Sequence, residues 1–114
     1  MTDAATLGAR KLLRHATLRQ VEVFESVARH VSFTRAAEEL HLTQPSVSAQ
    51  VKSLAEVVGE PLYEQVGRRI YLTDAGQIVE RSCREVIDIL SNAEMSLSEL
   101  NGMRKGRLLS LIHI

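Results

Sequence analysis

Cysteine, proline and aromatic residues are scarce in this 114-residue chain, and neither sign of charge is in excess. A single cysteine excludes an internal disulfide and a zinc site built from several thiolates. No second histidine or carboxylate stands at metal-ligand spacing from His30 or His41, so we expect no metal and no cofactor. No apolar run approaches the roughly 18–20 residues of a membrane span, and the N-terminus lacks the apolar core of a signal peptide. A cytoplasmic protein without membrane contact is therefore expected.

The absence of net charge limits how the chain can bind nucleic acid. Fourteen Lys and Arg residues balance fourteen Asp and Glu residues. Residues 1–31 carry a net charge of +2, residues 32–76 carry −2, and residues 77–114 are neutral. Any DNA contact must come from a few well-placed cations and polar donors, because there is no broad basic field. A non-specific, salt-driven binder is thereby disfavoured.

The stretch from Phe33 to Lys52 has the pattern of two short helices joined by a tight turn. Apolar residues recur at i, i+3, i+4 and i+7, namely Phe33, Ala36, Ala37 and Leu40. That spacing predicts one buried helical face. His41 and Leu42 occupy the turn, with Leu42 placed to fill the space between the helices. The pattern predicts a helix-turn-helix over about 33–52, whose second helix is the candidate recognition helix.

The second helix of the pair has one buried face and one free face. Thr43 is a good N-cap residue, and Pro45 falls in the first turn, where its missing N–H costs nothing. The buried face is apolar and consists of Val47, Val51 and Leu54. The free face carries the polar residues Gln44, Ser46, Ser48, Gln50 and Lys52. An αα-hairpin that only fills a core has the same pattern, so these residues alone leave DNA binding and a structural role open.

The segments on either side extend this unit to residues 15–73. Thr17 and Gln20 have the spacing of a capping box, and the apolar helix that follows should end around His30. At the end of the second helix of the pair, Gly59 is a suitable C-terminal cap. Two β-prone runs over 62–72, with Gly67 between them, predict a hairpin that serves as a wing. Arg68 and Arg69 at its tip suit a narrow minor groove or flanking phosphates, although solvated arginines are the alternative.

A long helix is predicted over residues 74–102. It carries an apolar seam with alternating spacings of four and three residues, formed by Val79, Cys83, Val86, Leu90, Ala93, Leu97 and Leu100. A helix of about 28 residues is roughly 42 Å long, too long to bury its seam against so small a domain. The seam is therefore predicted to meet the same helix of a second subunit, with Cys83 acting as a small apolar residue.

The two ends of the chain are predicted to lie outside the domain. Residues 1–14, rich in small residues and then basic, are expected to form a mobile arm. Residues 103–114 are expected to form a hinge and, from Arg107 onward, the first strand of a further domain that is missing here.

These motifs together resemble one known family, the N-terminal DNA-binding domain of LysR-type bacterial transcriptional regulators. The motifs that carry the resemblance run in family order over roughly residues 16–103: Leu18-Arg-Gln, Ser32-Phe-Thr-Arg-Ala-Ala, Leu40-His-Leu-Thr-Gln-Pro-Ser-Val-Ser, Gly67-Arg-Arg and Ala75-Gly. Two segments look closest to the sequences of regulators of Calvin-cycle (RuBisCO) carbon-fixation operons: Ala36-Ala-Glu-Glu-Leu-His-Leu-Thr-Gln-Pro and Tyr63-Glu-Gln-Val-Gly-Arg-Arg. The implied fold is mainly α: a winged helix-turn-helix followed by a long dimerisation helix.

The resemblance also implies residue roles and partners. Thr34 and Arg35 would meet the DNA backbone. Thr43, Gln44, Pro45, Ser46 and Ser48 would face the major groove, with Gln50 and Lys52 nearer phosphates. Arg68 would enter the minor groove, assisted by Arg69. Pro45 and Val47 would offer apolar contact to thymine methyl groups. Ala49 and Gln65 depart from the family, which often carries arginine at both positions.

The implied assembly is a homodimer on double-stranded DNA that becomes a tetramer in the full-length protein. A small-molecule effector would bind only the missing C-terminal domain. The alternative is a winged-helix protein-interaction module that pairs through its long helix and never touches DNA. An enzyme is not expected, because Ser46 and Ser48 near His41 have neither an orienting acid nor an oxyanion motif.

Overall fold

The computed structural model describes residues 11–112, with side chains described over 11–107. A short helical stretch at 11–15 precedes the main elements. These are α1 (Leu18–His30), α2 (Phe33–Leu40), α3 (Gln44–Val58), β1 (Tyr63–Val66), β2 (Arg69–Leu72) and α4 (Asp74–Ile112). The predicted fold class, a mainly helical winged helix-turn-helix followed by a long helix, is confirmed. The first ten residues of the predicted arm lie outside the described part of the chain.

Each of the three helices of the winged domain begins at a cap residue that carries a hydroxyl group. The Thr17 hydroxyl accepts from the Gln20 N–H at 3.1 Å, and the Gln20 side chain accepts from the Thr17 N–H at 3.0 Å, which completes the capping box. Ser32 and Thr43 accept in the same way from N–H groups three residues later. Each hydroxyl satisfies a backbone donor that the first helical turn leaves free.

The core lies where α1, α2 and α3 meet the start of the wing and of α4. Its fully buried members are apolar and include Val23, Phe24, Val27, Ala36, Val47, Val51, Leu54 and Leu62. The turn residue His41 has φ of 56°, and the Leu42 N–H donates to the Ala37 carbonyl at 2.9 Å. Leu42 packs against the core, as predicted. This turn fixes the angle between the two helices of the motif.

The wing is a two-stranded antiparallel hairpin closed by Gly67 and Arg68. Gly67 has φ of 64°, a conformation that glycine adopts without steric cost. Tyr63 pairs with Leu72 and Gln65 with Ile70, which puts these four side chains on one face of the hairpin. The other face carries the remaining strand residues, Glu64, Val66, Arg69 and Tyr71.

The start of α4 is anchored to the segment that enters the wing. The Thr73 N–H donates to the Leu62 carbonyl at 3.2 Å, and the Thr73 hydroxyl donates to the Pro61 carbonyl at 2.6 Å. That hydroxyl also accepts from the Gly76 N–H at 2.9 Å, so Thr73 caps the helix. Gly76 lies so close to Leu62 that a Cβ on it would stand 1.9 Å from the Leu62 oxygen.

The long helix continues further than the sequence predicted. It was expected to end near Asn101 and Gly102, with a strand from Arg107 onward, but α4 runs without a break to Ile112. An isolated glycine costs a helix only about 1 kcal/mol, and Gly102 and Gly106 stand among good helix formers. A strand also needs a neighbour to pair with, and the described residues offer none beside this segment. The assignment of 103–114 to a hinge and a further domain stays a prediction.

The chain divides into two compact units, Met1–Arg84 and Glu85–Ile114. In the first unit Cys83 is only 4% exposed, and Val79 packs against the same core. Cys83 belongs to the core of its own domain, which corrects its assignment to an open dimerisation seam. Val79 is only partly buried, and its place in the seam stays a prediction. In the second unit the later seam residues Leu90, Leu97 and Leu100 are exposed.

Candidate nucleic-acid interface

The recognition helix α3 turns its polar face to solvent. Val47, Val51 and Leu54 anchor the opposite face in the core. Because a helix advances 100° per residue, this burial fixes which side chains point outward. The exposed ones are Gln44, Pro45, Ser48, Ala49, Lys52, Ser53 and Glu56, while Thr43 is exposed at the cap. Ser46 and Gln50 are half-buried on the flank of the helix.

One face of the wing and the free face of α3 enclose a groove. The groove has a volume of about 270 Å³. It is lined by Val31, Ser32, Phe33, Thr34, Gln44, Ser48, Tyr63, Gln65, Arg68 and Ile70. Four predicted DNA-contacting residues from three separate elements therefore meet in one place: Thr34, Gln44, Ser48 and Arg68. We call this the α2–α3–wing groove.

The aromatic pair Phe33 and Tyr63 braces this groove. Their rings meet edge to face with centroids 5.0 Å apart and an interplanar angle of 67°. This contact joins the N-terminus of α2 to β1, and edge-to-face packing contributes beyond simple burial. Near the wing tip, the Gln65 amide donates to the Gly67 carbonyl at 3.4 Å. The wing is thus positioned against the helices by side chains on its inner face.

The cations at this surface are not neutralised by carboxylates. Among residues 11–107, Arg35, Lys52, Arg68 and Arg69 form no ion pair within 4.0 Å. An arginine without a protein partner retains its five donors for a phosphate or a base edge.

Arg29, away from the groove, shows the opposite arrangement. It donates to Glu39 at 2.6 and 2.7 Å and to Glu25 at 2.9 Å. The hydrogen bonds from Arg29 and His30 lower the pKa of Glu39 to about 2. The buried Ser26 hydroxyl also donates to Glu39 at 3.0 Å, so this cluster ties α1 to α2. The charges of Arg29, Glu25 and Glu39 are thus paired with one another and stabilise the fold.

Seven predicted contact residues do not line the groove, namely Arg35, Thr43, Pro45, Ser46, Gln50, Lys52 and Arg69. Arg69 pairs with Val66 across the hairpin, on the face opposite Gln65, and does not line the groove that Arg68 lines. Arg35 and Lys52 are exposed but do not line it. Val47 is fully buried, and the prediction that it contacts a thymine methyl is therefore wrong.

Two groove residues were missed as candidates from the sequence. In the sequence, Tyr63 belongs only to a motif of the family resemblance, and Gln65 stands out only as a departure from the family. The alternation of side chains along a strand indicates that Tyr63 and Gln65 share a face with the buried Ile70. The alternation alone does not say which face turns toward α3.

The arrangement offers hydrogen-bond donors and acceptors over a small concave surface with one free cation. Gln44 and Ser48 can bond the edges of bases, and Arg68 suits a phosphate or a narrow minor groove. Within the described residues, no three His, Cys, Asp or Glu side chains are grouped to hold a metal ion. No helix in that part of the chain is long and apolar enough to cross a membrane.

Comparison with known sequences gives a consistent set of relatives. A RuBisCO operon transcriptional regulator of Acidithiobacillus ferrooxidans is 51% identical over 96 residues, covering 84% of this chain and 31% of that protein. The activator CmpR of Synechocystis is 50% identical over 96 residues, covering 84% of this chain and 32% of that protein. The regulator CbbR of Rhodospirillum rubrum is 44% identical over 99 residues, 85% of this chain and 33% of that protein. The chain spans about a third of the length of these relatives.

Comparison with solved structures agrees. The DNA-binding domain of CbnR in complex with DNA matches with a TM-score of 0.64 at 29% identity, covering 68% of this chain and 90% of that one. The DNA-binding domain of BenM bound to catB site 1 DNA matches with a TM-score of 0.63 at 31% identity, covering 76% and 94%. Both similar proteins are held on DNA in those structures.

The family assignment rests on residues 18–77, which run from α1 into the first turn of α4. They match the family described as bacterial regulatory helix-turn-helix protein, lysR family, over more than half of the chain. That family comprises transcriptional regulators, which confirms that the chain is not an enzyme. The chain belongs to the LysR family of bacterial regulators and contains its winged helix-turn-helix DNA-binding domain.

Proposed function

We propose that this chain recognises a specific promoter sequence and controls genes of CO₂ fixation in the bacterial cytoplasm. The observation that carries the proposal is the α2–α3–wing groove, where Thr34, Gln44, Ser48 and Arg68 converge. Two relatives, 51% identical over 96 residues and 48% identical over 94 residues, are regulators of RuBisCO operons. The target would be an interrupted inverted repeat with an AT-rich centre, bound by a dimer.

Dimerisation is proposed to use the second unit of the chain. Leu90 and Leu100 are each 42% exposed and Leu97 is 63% exposed, along one side of a helix that offers them no partner among the described residues. Val86 and Ala93 complete that side. Burying such a stripe against the same stripe of a second copy would remove apolar surface from water. A tetramer and an effector-sensing domain are proposed for the full-length protein only.

The first test is fluorescence anisotropy of a labelled duplex carrying the inverted repeat, compared with a scrambled duplex at several salt concentrations. We expect a preference of about a thousandfold at physiological salt. The salt dependence should correspond to few phosphate contacts, because the chain carries no net positive charge. If the repeat fails, tight binders are selected from random duplexes. A selection that yields none would overturn the proposal.

Arg68→Ala tests the groove directly. Removing this cation should weaken specific binding by about 10- to 100-fold and reduce the salt slope by about one. Arg19→Ala is the matched control, since it removes the same charge from α1, where Arg19 is paired with Glu22. Both variants should remain dimers by analytical ultracentrifugation. Equal specific binding by Arg68→Ala and Arg19→Ala would show that Arg68 does not contact the DNA.

A further inference from the structure

The burial of Val47 leaves the exposed face of α3 with an unexpected chemical character. On a helical wheel, the direction opposite Val47, Val51 and Leu54 is occupied first by Pro45 and Ala49. Both are exposed, and they are four residues apart, so they lie one above the other along the helix. The outermost line of the recognition helix therefore begins with two apolar groups rather than with a hydrogen-bonding side chain.

Polar side chains border this apolar ridge, which we define as Pro45 and Ala49. Gln44 and Ser48 lie on the side toward the wing, and Lys52 continues the line one turn further on. The Ala49 methyl also borders open space, since it lines a shallow cleft of about 460 Å³ with Ser48, Lys52, Ala55 and residues 61–63. No described side chain of the protein covers it.

We propose that Ala49 is a specificity-determining residue that reads the 5-methyl group of thymine, beside the apolar contact already expected of Pro45. This inference rests on the proposed function and names the feature of the DNA that the site selects. In the major groove, thymine differs from cytosine by its C5 methyl and its O4 acceptor, and small apolar side chains are the groups that contact that methyl. Gln44 and Ser48 then bond the neighbouring base edges.

The test compares thymine with uracil, which lacks only the methyl group. The full chain is titrated with a duplex obtained by selection from random sequences, in which each thymine of one half-site is replaced in turn by deoxyuridine. For the wild type we expect at least one position where uracil raises Kd about fourfold, the equivalent of about 0.8 kcal/mol for one buried methyl. At that position, Ala49→Gly should bring the ratio of the two Kd values close to one.

The test uses the ratio of the Kd for the uracil duplex to the Kd for the thymine duplex, because a loss of folding weakens binding to both duplexes equally. Ser53→Gly is the control, since Ser53 is exposed in the same helix and its replacement weakens the helix backbone in a similar way. It should keep the fourfold ratio. Ala49→Ser, which keeps helicity but adds a hydroxyl, should reduce the ratio.

Each remaining outcome decides against the inference. If the selected duplexes bind tightly and no thymine is sensitive to its methyl, DNA recognition stands and the role of Ala49 is refuted. If Ala49→Gly keeps the full ratio, another group reads the methyl. If selection yields no tight duplex, both this inference and the proposed function fail.

Discussion

Replacing Gly76 by alanine should destabilise the domain, although helix propensity predicts the opposite. Gly76 lies in the first turn of α4, where alanine would ordinarily add about 1 kcal/mol. A Cβ at this position, however, would stand 1.9 Å from the Leu62 carbonyl oxygen and 2.9 Å from its carbon. Both neighbours are backbone atoms, so no side-chain rotation can relieve the clash.

Leu62 is poorly able to move away. Its side chain is 1% exposed within the core, and its carbonyl accepts from the Thr73 N–H at 3.2 Å. Opening the contact from 1.9 Å to an ordinary 3.4 Å would strain that bond and the Thr73 cap on Gly76. Overpacking costs about 1–3 kcal/mol and a lost hydrogen bond about 1 kcal/mol. We therefore expect a net loss of about 1–3 kcal/mol.

Thermal unfolding followed by circular dichroism measures this effect. A loss of about 2 kcal/mol in a domain of this size lowers Tm by about 10 °C. Gly102→Ala is the internal control, because it lies in the same helix and nothing stands within 4 Å of its added Cβ. That variant should gain helicity without lowering Tm. A Gly76→Ala protein that melts at or above the wild-type temperature would refute the reasoning.

Three further outcomes follow from the structure. Glu39→Gln should lower the free energy of unfolding by about 1 kcal/mol at neutral pH. The folded-state pKa of Glu39 is lowered to about 2, so its contribution to the free energy of unfolding is complete above the ordinary pKa of about 4.5 and is lost as pH falls toward 2. Urea unfolding would contradict this if wild type and Glu39→Gln differed in stability by the same amount at pH 7 and at pH 2. Burial raises the pKa of the Cys83 thiol to about 12, so a thiol reagent at pH 8 should label the native protein far more slowly than the unfolded chain, and equal rates would disprove the assignment to the core. Thr43→Ala removes the hydroxyl that accepts from the Ser46 N–H at 3.2 Å and should cost about 1 kcal/mol, which an unchanged urea midpoint would exclude.

Local signals were sufficient for much of the fold. The capping box at Thr17 and Gln20 and the cap at Thr43 were predictable because a cap depends on neighbouring residues only. The positive φ at Gly67 likewise follows from a hairpin turn. The end of α4 was not predictable in this way, since Gly102 is only a weak stop signal and a helix can continue through it.

The sequence by itself determined the order of the elements, their caps, the buried face of α3 and the family, because apolar periodicity and short motifs are properties of neighbouring residues. Tertiary structure alone decided which wing face turns toward α3, and so separated Arg68 and Gln65 from Arg69. It also decided that Cys83, predicted to lie on the dimerisation seam, lies in the core. The physical reason is that a helix or strand pattern fixes relative directions within one element, whereas the identity of the surface it packs against depends on residues distant in the chain.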